Sequence, residues 1–163
     1  PQEEIQKRKK NWYILNSKRY FIKDSFDFIL ETIGIDRNEE LLKKACKVLI
    51  NSLEIFGKKM TEDKFEIITD QVNIKNSFDI IFTGYGYTIG KVIEGILHQL
   101  FFKDKKVLNY VGFIKKHPHD EHSIIRIVFA DETQANIDNI KSLFNSCVDT
   151  GQRIFNHIKE SFV

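Results

Sequence analysis

The stretch Phe78-Asp-Ile-Ile-Phe82, then Thr83-Gly-Tyr-Gly-Tyr87, then Thr88-Ile-Gly-Lys-Val-Ile-Glu-Gly-Ile-Leu-His-Gln-Leu-Phe-Phe102 changes its apolar period halfway along. The first piece reads as a strand and the glycine pair as a sharp turn, with Thr88 the expected N-cap of a helix running to about Phe102. On that helix Ile89, Val92, Ile93, Ile96, Leu97, Leu100 and Phe101 form one broad apolar face. Lys103-Asp-Lys-Lys106 ends it. Two further strands are expected at Val107–Ile114 and Ser123–Phe129, joined by the polar loop 115–122. A long closing helix is expected from about Glu132 to Ser161, capped by Asp131. Its stripe is Ile137, Ile140, Phe144, Cys147, Gly151, Ile154, Ile158 and Phe162. At the α-helical rise it would be roughly 45 Å long, more than a small sheet covers.

Working back from Phe78, residues 58–76 are mostly polar and read as a connector, with Phe65–Ile68 a further candidate strand. Before it, Asn38 is the expected cap of a helix over 39–56, with Glu39 and Glu40 in its first turn and Gly57 as its stop. Leu41, Leu42, Ala45, Val48, Leu49, Ser52, Leu53 and Phe56 recur along it at helical spacing. Phe26, Phe28 and Leu30 alternate as in a strand, and Trp12–Leu15 with Tyr20–Ile22 suggests a hairpin. The first ten residues, with Lys7-Arg-Lys-Lys10, read as a solvated leader. Strand, polar break and amphipathic helix thus occur twice. The expected fold is α+β: small antiparallel sheets with the helices 39–56, 89–102 and 132–161 packed on one side. The expected divisions are 1–57, 58–76 and 77–163.

Composition narrows the function. The 163 residues are 42% hydrophobic and 29% charged, as in a globular chain, and 25 basic against 23 acidic residues give a net charge of +2. That balance does not suggest a primary nucleic-acid binder, and no apolar run has membrane-spanning length. Cys46 and Cys147 fall on apolar stripes, as buried reduced thiols do. Starting at Pro1, the chain is expected to be processed or a piece of a longer one.

Catalytic patterns are thin. His117, His119 and His122 share one loop and could be metal ligands, but no further ligand completes the set, and the turn reading is preferred. Gly84-x-Gly86-x-x-x-Gly90 matches neither nucleotide-binding spacing and is explained by the turn. Cys147 and His157 would lie about 15 Å apart along one helix, too far for proton transfer. The Lys7–Lys10 run is a possible phosphate-backbone contact, though usually such a run is only solvated. No catalytic residue, metal site or cofactor is assigned. What remains is an interaction function carried by the helix faces, at Leu42, Leu49, Leu53, Ile89, Val92, Ile93, Ile96, Leu100, Ile140, Phe144, Cys147, Ile154 and Ile158.

Tyr87-Thr-Ile-Gly90, Tyr110-Val-Gly-Phe113, His117-Pro118 and Ser123-Ile-Ile-Arg-Ile-Val128 resemble the eleventh (L-type) subunit of eukaryotic and archaeal RNA polymerases. That family has a His-Thr-Leu-Gly helix start, an aromatic-x-Gly-aromatic strand, a Pro-His-Pro loop, an Ile/Leu-Arg-Val strand and a long closing helix. The resemblance covers 77–163 and rests on Thr88, Gly90, Gly112, His117, Pro118 and Arg126. Tyr85, Gly86 and Tyr87 replace the family's acidic pair and His, and Lys116 replaces the loop's first Pro. Phe26-Asp-Phe-Ile-Leu-Glu-Thr-Ile-Gly34 and the helix after it are similar to the end of the third (D-type) subunit, over about 20–57. The two in this order resemble the fused subunit of the polymerases of large cytoplasmic DNA viruses such as African swine fever virus.

The resemblance implies a non-catalytic assembly subunit of a DNA-dependent RNA polymerase. Its paired helices would form a platform for the two large catalytic subunits and meet other small subunits, with nucleic acid met only indirectly and no membrane. The upstream part of the third-type half would be missing, so self-association is expected. Viral origin would place it in the host cytoplasm (the viral factory) and the virion; cellular origin, in the nucleus. Two alternatives stand beside it: a stand-alone α+β dimerisation module outside transcription, and a metal-dependent hydrolase using the three loop histidines.

Overall fold

The computed structural model describes residues 1–69 and 74–162 and divides into two compact units, Pro1–Ile33 and Gly34–Val163. Among the described residues the strands all lie in the larger unit: β1 (Glu66–Thr69), β2 (Ser77–Thr83), β3 (Leu108–Ile114) and β4 (His122–Phe129). They form one antiparallel sheet in the order β1-β2-β4-β3. Period-two alternation sends Phe78, Ile80 and Phe82 of β2 and Ile125, Ile127 and Phe129 of β4 into the core. The candidate strand at 65–68 is β1, and the two strands expected after residue 106 are β3 and β4. Residues 70–73 of the expected connector lie outside the described residues.

With α1 (Gln2–Asn11) in the smaller unit, the helices of the larger one are α2 (Asn38–Thr61), α3 (Tyr87–Leu97) and α4 (Ile137–Ser161). Each differs from expectation at its ends. Asn38 is the first helical residue of α2 and Arg37 its cap, and Gly57 lies inside the helix. A Cβ on Gly57 would sit 3.3 Å from Val148, so this glycine serves close packing; the chain turns instead after Thr61, where Asp63 takes a left-handed φ of 55°. Gly86 rather than Thr88 caps α3, and beyond Leu97 the coil widens into π-helical turns over His98–Asp104 that bury Phe101. Asp131 caps only a short 3₁₀ turn, Glu132–Gln134; Asn136 caps α4 by accepting the Asn139 N–H. The closing helix proper is therefore 25 residues, about 37 Å.

α4 packs against both α2 and α3, and a single cluster joins these helices to the sheet. The helix from the first expected half thus shares its core with residues 77–162, and the division by compactness falls at Ile33/Gly34, not in the connector.

The smaller unit departs furthest from the sequence reading. Trp12–Asn16 and Ser17–Arg19 continue α1 as π and 3₁₀ turns, with the Ser17 hydroxyl donating to the Tyr13 carbonyl. No hairpin forms, and residues 26–31 carry no strand. A short two-stranded ribbon without a third strand or a covering helix is marginal in water, so the helical alternative prevails. The basic leader is helical too. None of these helical segments buries a side chain.

Candidate functional site

α2 and α4 meet in an antiparallel seam built on two reciprocal glycines. Val148 of α4 seats against Gly57 of α2, and Leu53 of α2 seats against Gly151 of α4, where a Cβ would lie 2.8 Å from Leu53 Cδ1. Each helix offers one knob and one flat spot, so the backbones approach closely. Lys141 and Asp63 close one end of the seam with an ion pair at 2.6 Å. Phe56 sits beneath it, ringed by Phe65, Phe82, Tyr85 and Phe144 at centroid distances of 4.9–6.0 Å.

The thirteen residues expected to form an interface fall into three groups. Leu53, Ile89, Ile93, Ile96, Ile140, Phe144 and Cys147 are buried inside the unit. Leu42, Leu49, Val92, Leu100 and Ile158 are half-buried, and Ile154 is exposed at 45%. The sequence stripe on α2 also resolves into two. Leu42, Cys46, Leu49, Leu53, Phe56 and Met60 face inward. Leu41, Ala45, Val48, Ser52 and Ile55 run beside them at alternating steps of four and three, with Val48 63% and Ile55 53% exposed. Such 4-3 spacing is that of a helix seam with a partner. A single stripe was legible in the sequence; its doubling needed the burial of Cys46 and Met60.

The residues that carry the family resemblance are spread over the fold. Thr88 is exposed in the first turn of α3. Gly90 lies so close under the Phe113 ring that a Cβ would overlap it, while Lys91 approaches the same ring and Glu94 accepts the Phe113 N–H at 3.0 Å. Gly112 lies beneath the Tyr110 hydroxyl on β3. Arg126 of β4 stands opposite Asp79 of β2 and donates to both its carboxylate oxygens at 2.6 Å. Asp79 is buried, and the pairing raises the Arg126 pKa still further. Sequence reading missed Asp79, although a single carboxylate amid the apolar strand Phe78–Phe82 needs a partner.

His117 and Pro118 are exposed in the β3–β4 loop. There the His117 Nδ1 accepts the His119 backbone N–H at 3.2 Å, and at the start of β4 the His122 Nδ1 is 3.0 Å from the Thr83 hydroxyl. Two of the three candidate ligands are thus engaged within the protein. Among the described residues no group of three His, Cys, Asp or Glu side chains is placed to hold a metal ion. Cys46 and Cys147 are free, buried thiols, and burial pushes the Cys147 pKa up, away from the thiolate a nucleophile needs. Among the described residues no helix is long and apolar enough to cross a membrane. No protein-family model and no curated protein matches the chain.

Proposed function

We propose that this chain is a non-catalytic assembly subunit of a multisubunit DNA-dependent RNA polymerase, a third-type and an eleventh-type half fused end to end. On this reading it has the RNA polymerase dimerisation-subunit fold and acts in the host cytoplasm and the virion if viral, or in the nucleus if cellular. The observation that carries it is the doubled stripe of α2: one seam packs on α4, and a second of equal spacing leaves Ala45, Val48 and Ile55 exposed. A helix that keeps large apolar side chains exposed beside its buried seam suits a further contact in an assembly. The resemblance of 77–163 and of 20–57 to the two subunit types supports the same reading. On it, Val48 and Ile55 meet other polymerase chains, and the chain self-associates when those are absent.

The test is affinity purification of the tagged chain from its native or infected cells, followed by mass spectrometry. The two large catalytic subunits co-purify, and Val48→Glu with Ile55→Glu in the outer seam loses them while the chain stays folded. A closed homodimer recovered without polymerase subunits would instead identify a stand-alone dimerisation module.

A further inference from the structure

The net charge of +2 conceals a strongly polarised segment. Between residues 7 and 23 there are seven cations (Lys7, Arg8, Lys9, Lys10, Lys18, Arg19 and Lys23) and no carboxylate. Among the described residues only Arg8 of these has an ion-pair partner, Glu4. Interleaved with these cations are four aromatic residues, all exposed: Trp12 and Tyr13 after Lys10, and Tyr20 and Phe21 between Arg19 and Lys23. Trp12 and Tyr20 stack at 6.1 Å with 23° between their planes, and Tyr13 meets Trp12 edge-on at 5.4 Å.

From this arrangement we propose that residues 7–23 form a binding segment for single-stranded nucleic acid. The cations meet phosphates, and the exposed rings offer faces on which unpaired bases stack. Stacking tolerates any base, so the segment reads strandedness and not sequence. An anionic membrane surface would also attract the cations, but it needs a helix with one apolar side. Lys7, Arg8, Lys9 and Lys10 are consecutive, each about 100° further round α1, so every side of that turn carries charge. The proposal does not depend on the assembly reading, in which nucleic acid is met only indirectly.

Trp12 is the only tryptophan, so its fluorescence reports on the segment directly. The full chain is titrated with labelled oligo(dT) and oligo(rU) of about 20 nucleotides, long enough for such sites. Single strands should quench Trp12 and raise the anisotropy of the label, more tightly than a duplex of the same length. Log affinity should fall against log salt with a slope of about −0.7 per phosphate contact. Replacing Lys7, Arg8, Lys9 and Lys10 together by Gln should weaken binding at least about tenfold and flatten that slope by roughly 2 to 3. Trp12→Ala with Tyr20→Ala should weaken it by about tenfold or more with the slope unchanged. These residues have exposed side chains, and circular dichroism checks that the variants remain folded. Absence of binding at low salt, equal affinity for duplex, or unchanged affinity in both variants overturns the proposal. So does a Trp12 blue shift with phosphatidylserine vesicles when oligonucleotides produce no change.

Discussion

Residues 1–33 and 34–163 are both rich in apolar side chains, yet only the second unit has a core. In the first, Phe28 is 92% exposed and the helical segments bury nothing; in the second, Phe56, Phe82, Phe129 and Phe144 are all within 1% of complete burial. The same residue type thus has opposite fates in the two units. Apolar content does not by itself produce a core. A core forms where periods from different elements converge on one surface, as the helix stripes of α2, α3 and α4 converge on alternate residues of β2 and β4. The first unit has apolar runs without a second layer to close on.

The comparison can be broken most directly with a pair of truncations. Phe144→Ala should cost about 3–5 kcal/mol, because it opens a cavity at a fully buried aromatic site. Phe28→Ala should change stability by less than about 0.5 kcal/mol. Urea unfolding of both variants, followed by circular dichroism, measures the contrast; similar losses would show that the first unit shares in the fold's stability. A smaller effect should come from Gly90→Ala, whose added methyl must displace the Phe113 ring. Overpacking of this kind costs about 1–3 kcal/mol, read in the same assay, and the additional variant Phe113→Ala should recover part of the loss.

The smallest effect concerns an exposed group of the larger unit. Asp131 accepts hydrogen bonds from the Thr133 backbone and side chain, which lower its pKa below the ordinary 3.8. A lowered carboxylate pKa contributes stability above the unfolded-state value and loses it as pH falls through the folded-state value. Wild type should therefore lose slightly more stability than Asp131→Asn on acidification from about pH 5 to about pH 3. Parallel curves for the two proteins would remove Asp131 from the account.

Much of the larger unit was legible from pattern. Phe78–Phe82, Val107–Ile114 and Ser123–Phe129 alternate or run apolar between turn residues, and they are β2, β3 and β4. The stripe Ile140, Phe144, Cys147, Gly151 predicted α4 and its buried side. Element ends were less legible, because two uses of one residue look alike in sequence. Gly57 has the appearance of a helix stop, but it is a flat spot for Val148, a neighbour brought to it only by folding. The hairpin at 12–22 failed for a related reason: strand patterning needs something to pair with, and a helical continuation of α1 satisfies its own backbone.

Local chemistry along the chain specified the periods, the turn at Gly84, the balanced charge and the cation-rich stretch near the start, because these depend only on neighbouring residues. Which of two adjacent stripes on α2 is buried, that Asp79 meets Arg126, and that Gly151 receives Leu53 were decided only by tertiary packing. Those outcomes depend on which elements meet and how closely, and contacts between distant parts of a chain leave no periodic trace in it.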